Sequence, residues 1–282
     1  MTRRWLLVVV AAGAVLVATG GVVLVKGGLP WRQTGPCDIA RSVVGGSVSS
    51  AAGGGIRVVE QGFTVSTRDG SASLGAVLAN TGHQVAYRTR IVLRLLDARH
   101  RSVAGTSPIV QDIPIMLPGQ RVGLGGTAPL AVDTTAASFQ LELGTARWVP
   151  RDALGSDFSP VIATAPRTIR PDPTLPTTVD VHYTEVSTNC QPLIDGGAAV
   201  VYRDASGAIV GGDLGQPGGL TIFRDRRGVV VGGEQRLPSG DPCDPGTRDM
   251  WVIPLTPAPS RAAVSRTTVY PYCDVSPPGG GE

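Results

Sequence analysis

The sequence predicts an all-β protein, two β-sandwich domains following one N-terminal transmembrane helix. Three observations lead there. Gly (38) and Pro (23) make up over a fifth of the 282 residues, yet apolar residues stay at 42%, too many for a disordered polar tract. Frequent Val, Ile and Thr beside Gly and Pro fit short strands joined by tight turns. The stretch from Trp5 to Val25 carries no charge at all.

That stretch is 21 residues long. As a helix it would measure ~31 Å, close to the ~30 Å hydrocarbon core of a bilayer. Arg3 and Arg4 precede it and Lys26 follows. The short N-terminus with two arginines favours N-terminus inside and C-terminal domains outside. Trp5 and Trp31 bracket the run at distances suited to the two membrane interfaces. Arg3, Arg4, Trp5, Lys26 and Trp31 are therefore the expected interface residues, and residues 1–26 form a cytoplasmic tip and signal anchor. A cleaved signal peptide is the rival reading, but its apolar region is normally shorter.

Residues 27–55 are rich in Gly, Ser and Ala and read as a stalk. Arg3, Arg4 and Lys26 account for the whole net charge of +3. The remainder is formally neutral, so no basic field for nucleic acid follows. Lys26 is the only lysine, a bias that fits a GC-rich genome.

Residues 56–149 read as the first sandwich. Strands are expected at Arg57 to Val65 and at Ser73 to Ala79, the second ended by the turn signal Asn80-Thr81-Gly82. From Tyr87 to Leu96, Tyr87, Thr89, Ile91, Leu93 and Leu95 point one way. Arg88, Arg90, Val92, Arg94 and Leu96 point the other, which places the arginines in water. Pro118-Gly119 marks a turn of type I or II. Phe139, Leu141 and Leu143 alternate with Gln140 and Glu142 in a half-buried strand. Strands at roughly ten-residue spacing suggest a sandwich of immunoglobulin-like type.

A short region supports that type. Gly75-Ala76-Val77-Leu78-Ala79-Asn80-Thr81-Gly82, Leu93-Arg94-Leu95-Leu96-Asp97 and Leu117-Pro118-Gly119-Gln120 resemble the motifs of the FxLYD-type bacterial immunoglobulin-like module. Leu93 and Leu96 stand where that family has Phe and Tyr. The resemblance spans residues 74–120 and implies an extracytoplasmic β-sandwich with no common chemistry.

Residues 150–178 carry Pro160, Pro166, Pro171, Pro173 and Pro176 and read as an extended linker. Residues 179–275 read as a second sandwich, ending in a tail at 276–282. Within it, Tyr202-Arg-Asp-Ala-Ser-Gly-Ala-Ile-Val-Gly-Gly212 and Phe223-Arg-Asp-Arg-Arg-Gly-Val-Val-Val-Gly-Gly233 echo each other. Each reads as an aromatic strand end, a polar turn and a β-branched strand, so two successive hairpins are expected.

All four cysteines, Cys37, Cys190, Cys243 and Cys273, lie beyond the apolar run. An even count outside the membrane reads as two disulfides. Three connectivities are possible, with at least one bridge inside the C-terminal half. The spacing lacks the close ligand pairs of a zinc site.

No catalytic motif emerges. His83 and His100 sit in polar turns, and His182 lies on a strand between Val181 and Tyr183. A Ser-His-Asp site around His182 and Asp180 lacks a nucleophile elbow, so His182 reads as a surface or half-buried strand residue. Asp204, Asp213 and Asp225 invite a Ca²⁺ site but fit turn chemistry better. Arg226 and Arg227 form a small basic loop tip, a candidate contact for an anionic envelope polymer. Trp148 and Trp251 read as core or domain-edge residues. Aromatics, at 5%, look too few for a carbohydrate-stacking platform.

The expected function is non-catalytic: a single-pass cell-membrane protein presenting a binding surface to an envelope protein or polymer, with no cofactor, no metal and no nucleic-acid partner. The alternatives are an accessory subunit of a transport or secretion assembly, and an unrecognised envelope hydrolase.

Overall fold

In the computed structural model the described residues are 36–67, 70–131, 134–168, 181–215, 220–224, 230–235, 243–252 and 258–276. The chain divides into two compact units, Met1–Cys37 and Asp38–Glu282. The expected anchor and its flanking Arg3, Arg4, Trp5, Lys26 and Trp31 lie outside the described residues. Among the described residues no helix is long and apolar enough to cross a membrane.

The second unit is built from antiparallel strands. In chain order they are β1 (Ser47–Ser50), β2 (Ile56–Ser66), β3 (Ser71–Asn80), β4 (Val85–Leu96), β5 (Ile109–Met116) and β6 (Arg121–Pro129). β7 (Ser138–Leu143), β8 (Thr145–Val149), β9 (Ile162–Thr168), β10 (Val181–Ser187) and β11 (Ile194–Arg203) follow. The last are β12 (Ile209–Gly215), β13 (Leu220–Arg224), β14 (Val230–Gln235), β15 (Gly246–Val252) and β16 (Thr268–Asp274).

Four of the sheets stack. The first has the order β1-β8-β4-β5, with β7 also on β4. It faces the β2-β3-β6 sheet across the main core. β4 carries the predicted alternation over its second half: Ile91, Leu93 and Leu95 enter the main core and Thr89 is buried. Their partners across the core include Ile56, Leu74, Leu78, Val122 and Leu124. Tyr87 is buried outside that cluster, its OH 2.8 Å from Ser276 Oγ, and Ala86 takes the core position before Arg88, whose φ is +50°. Phe139 of β7 meets Phe63 of β2 edge to face, with ring centroids 6.0 Å apart.

β3 departs from the half-buried pattern, because both its faces are buried. Leu74, Ala76 and Leu78 point into the main core. The opposite face receives the third sheet, β12-β11-β16, with β12 lying against β2, β3 and β6. Glycines make this approach possible. A Cβ at Gly62 would strike the Ile209 carbonyl, one at Gly75 the Gly211 carbonyl, and one at Gly125 the backbone of Asp213. Short polar side chains then satisfy the backbone of β12. Thr64 Oγ1 donates to the Val210 carbonyl (2.6 Å) and Ser73 Oγ to that of Gly212 (2.9 Å), while Gly212 N–H donates to Ser73 Oγ (3.0 Å). Tyr272 OH donates to the Gly123 carbonyl (2.7 Å). Glu60 and Arg203 close the contact with an ion pair, and the hydrogen bond from Arg203 holds the Glu60 carboxyl below its ordinary value.

The far side of the third sheet packs on the fourth, β15-β10-β9. Ala198, Val200, Tyr202, Val210 and Val269 meet Val181, Tyr183 and Val252 there. A disulfide between Cys243 and Cys273, with Cα atoms 6.2 Å apart, ties the entry of β15 to β16. Cys37 and Cys190 are disulfide-bonded as well, and no cysteine is free. The expectation of two bridges, one of them within the C-terminal half, therefore holds.

Local details follow the residue chemistry. Gly119 has φ +77° and Gln120 N–H donates to the Leu117 carbonyl (3.0 Å), which makes Pro118-Gly119 a type II turn. Asn80 is fully buried. Its Nδ2 donates to the carbonyls of Gln84 (2.8 Å) and Met116 (2.9 Å), and its Oδ1 accepts from Gly82 N–H (3.0 Å). The two echoing segments form hairpins of one design. Tyr202 pairs with Gly211 and Phe223 with Gly232, and the register shifts just after each aromatic residue.

Several segments carry more structure than their composition suggests. Within the Gly- and Ser-rich residues 27–55, β1 pairs with β8, and Ile39, Val43 and Ala51 are buried. Within the proline-rich residues 150–178, Leu154, Phe158 and Val161 are buried and β9 pairs with β10. In each case a few apolar side chains find a core, which overrides the local propensity. Arg88 was expected in water. Instead it has φ +50° and its Nε donates to Asp274 Oδ2 (3.3 Å), while Nη2 donates to the Ser276 carbonyl (3.0 Å). Burial pushes the Asp274 carboxyl up from its ordinary value, and Arg88 opposes that shift.

Candidate binding surface

The outermost layer, β9-β10-β15, has one face in the core and one turned outward. β10 alternates strictly: Val181, Tyr183, Glu185 and Ser187 are buried, while His182, Thr184 and Val186 are half-buried. Period two thus assigns His182, Thr184 and Val186 to the outer face.

Antiparallel pairing brings neighbours to each. Arg167 of β9 and Trp251 of β15 flank His182, Thr164 and Asp249 flank Thr184, and Ile162 and Thr247 flank Val186. A register shift between His182 and Thr184, beside Ala165 at φ +49°, keeps Arg167 on this face. The six flanking residues are all exposed.

Trp251 dominates the face. It is 40% exposed, and its indole stacks with the His182 imidazole at 6.0 Å between centroids and 26° between planes. Burying a tryptophan removes ~150–250 Å² from water. At ~25 cal/mol per Å², leaving two-fifths of it exposed forgoes about 2 kcal/mol of folding stability. The buried three-fifths stabilises the fold, but the exposed remainder contributes nothing to it.

The polar groups around it are loosely tied. Arg167 lies 3.6 Å from Asp249, Thr184 Oγ1 donates to Asp249 Oδ1 at 3.4 Å, and Thr164 Oγ1 donates to the Thr184 carbonyl at 3.3 Å. The two hydroxyl contacts are at the long end of hydrogen bonding, and the Arg167–Asp249 pair lies beyond it. A ligand could exchange them at small cost, because both charged side chains remain more than half exposed.

Beneath the face, Glu185 is buried and pairs with Arg248, which also donates to Asp244 (3.0 Å). The Glu185 carboxylate lies within 4.8 Å of the sulfurs of Cys243 and Cys273. Those sulfurs are bonded to each other and so offer no thiolate to a metal ion. Elsewhere a small cleft lies between Ile113, Pro114, Gln120, Phe158, Pro271 and Tyr272. Its lining includes no charged side chain.

The other expected site residues do not assemble into a centre. His83 and His100 are exposed. Asp204 caps its own turn, its Oδ1 accepting from Ser206 N–H (2.9 Å) and Ala208 N–H (3.1 Å). Asp213 is buried against β6. Neither joins a metal-like cluster among the described residues. Asp180, Asp225, Arg226 and Arg227 lie outside the described residues. Trp148 is a core residue at 3% exposure, and Trp251 sits on an edge strand with its ring at the surface.

Sequence reasoning singled out His182 and Trp251 separately and missed Arg167, Thr184 and Asp249. The signal was present as alternation: His182-x-Thr184 on one strand, and Asp249-x-Trp251 on another. The register joining them across 69 residues was not. Compared with protein-family models, characterised proteins and solved structures, the chain finds no match.

Proposed function

We propose that this chain is a non-catalytic, single-pass membrane protein that holds its β domains outside the cell membrane and presents the β9-β10-β15 face to an envelope protein or polymer. One observation carries the binding part of the reading: an exposed tryptophan on an edge strand of the outermost sheet, stacked on a histidine and beside polar side chains of the same face. The uncharged run from Trp5 to Val25 supports the anchor, with Arg3 and Arg4 inside and Lys26 and Trp31 at the outer interface. The disulfides fit an oxidising compartment. The immunoglobulin-like character of the two halves is part of the same proposal, resting on strand spacing and the motifs at residues 74–120.

The test is labelling of the full-length protein in intact cells. A membrane-impermeant thiol reagent, applied after mild reduction, is expected to reach Cys190 and not a cysteine-bearing tag placed before Arg3. Recovery of the full-length chain from the cytosol with four free thiols would overturn the reading. Replacing Gly13 and Gly20 with Leu separates a tether from an assembly subunit. A tether keeps its binding; a subunit whose helix packs closely on partners loses it.

A further inference from the structure

We propose that the outer face of β9-β10-β15 is a platform for a neutral, hydroxyl-rich glycan, with Trp251 as its stacking ring. The inference rests on the reading that this face is the presented one, and it names the class of ligand.

Size argues first. The face has nine outward residues on three strands. A stable protein–protein contact takes roughly 20–30 residues on each partner, with an apolar centre. Here the centre is Thr184, flanked by Thr164 and Asp249. The two exposed apolar residues, Ile162 and Trp251, lie on opposite edge strands in different rows. A protein partner would find the apolar pair Ile162 and Val186 at one edge and Trp251 at the other, with a polar centre between them.

Chemistry argues second. A sugar ring offers a C–H face on one side and hydroxyl groups around its rim. Trp251 supplies a flat π surface for the first, and His182 holds it in place through their stack. Asp249 accepts hydrogen bonds, Arg167 donates them, and the Thr184 hydroxyl does both. All three reach solvent on the same face, and the 3.3–3.6 Å contacts among them are weak enough to yield to ligand hydroxyls.

Charge argues third. Arg167 and Asp249 reach each other across β10, so their charges offset on this face. That favours a neutral polymer over a polyanion, which the aspartate would repel.

The test uses full-length protein in detergent and sedimenting cell-envelope fragments in three forms: untreated, stripped of protein by protease, and treated with periodate to cleave vicinal diols. The expected result is co-sedimentation with untreated and protease-stripped fragments, and loss of it after periodate. Trp251→Ala is expected to weaken retention at least tenfold, Trp251→Phe to restore part of it, and Asp249→Asn to weaken it severalfold. Melting temperatures accompany each variant, so that misfolding is not read as lost binding. Retention that survives periodate and disappears after protease identifies a protein partner and overturns the glycan assignment, while leaving the broader binding role intact if Trp251 is still required. Retention unchanged in Trp251→Ala overturns the use of this face altogether.

Discussion

Two three-stranded faces in this molecule have the same size and opposite fates. On β2-β3-β6, the face formed by Glu60, Gly62, Thr64, Ser73, Gly75, Val77, Gly123, Gly125 and Thr127 is covered by the next sheet. On β9-β10-β15, the face formed by Arg167, His182, Trp251 and their neighbours stays open. Both mix polar and apolar side chains, so hydropathy does not separate them. Glycine does. Gly62, Gly75 and Gly125 on the closed face let a neighbouring backbone come into contact, Gly123 makes room for the Tyr270 ring, and Thr64 and Ser73 satisfy the backbone carbonyls. The open face has a side chain at all nine positions and projects an indole. It cannot accept a strand at that distance, but it can accept a flat ligand.

The sharpest way to break the comparison is to give the closed face a side chain. Gly75→Val would drive methyl groups into the Gly211 carbonyl, and backbone cannot swing aside as a side chain does. A loss of roughly 3 kcal/mol or more is expected by denaturant titration. Thr184→Val on the open face should stay within about 0.5 kcal/mol. Equal effects would remove the distinction.

Reduction of the Cys243–Cys273 bridge, which closes a loop with a sequence separation of 30, should cost about 2–4 kcal/mol. A melting temperature unchanged by reductant would contradict the bonded state. Ser73→Ala follows in size. It strands the Gly212 N–H within a buried contact, and about 1–3 kcal/mol should be lost.

The smallest effect is electrostatic. The Glu60 carboxyl is held below its ordinary 4.5 by Arg203. A depressed folded-state value gives stability that is present above pH 4.5 and lost as pH falls through the depressed value. Wild type and Glu60→Gln should therefore differ most near neutrality and converge in acid. Because Glu60 is partly exposed, added salt should shrink the difference. A gap that widens in acid would reverse the assigned sign.

Much of this fold was legible in the residues. The alternation of Ile91, Leu93 and Leu95 identifies the inward face of β4, and Pro118-Gly119 marks the turn between β5 and β6. The paired Tyr202 and Phe223 segments foreshadow two hairpins with matching register shifts. What was not legible is the stacking of sheets. Ser73, Gly75 and Val77 look like a solvent face under period two, yet β12 buries them. The candidate surface was half legible. His182 and Trp251 were visible as single residues. Their partnership depends on the β10–β15 register, which no local pattern encodes, and low overall aromatic content argued against the single stacked pair that matters.

The most direct measurement follows Trp251→Ala in two readouts at once, thermal unfolding and retention of the full-length protein by envelope fragments. The account predicts a loss of stability no larger than the roughly 3 kcal/mol that the buried three-fifths of the ring supplies, with the variant still folded at the assay temperature, together with loss of retention. A variant already unfolded at that temperature, or one that stays fully retained, would show Trp251 serving the fold or serving nothing, and the open face would lose its function.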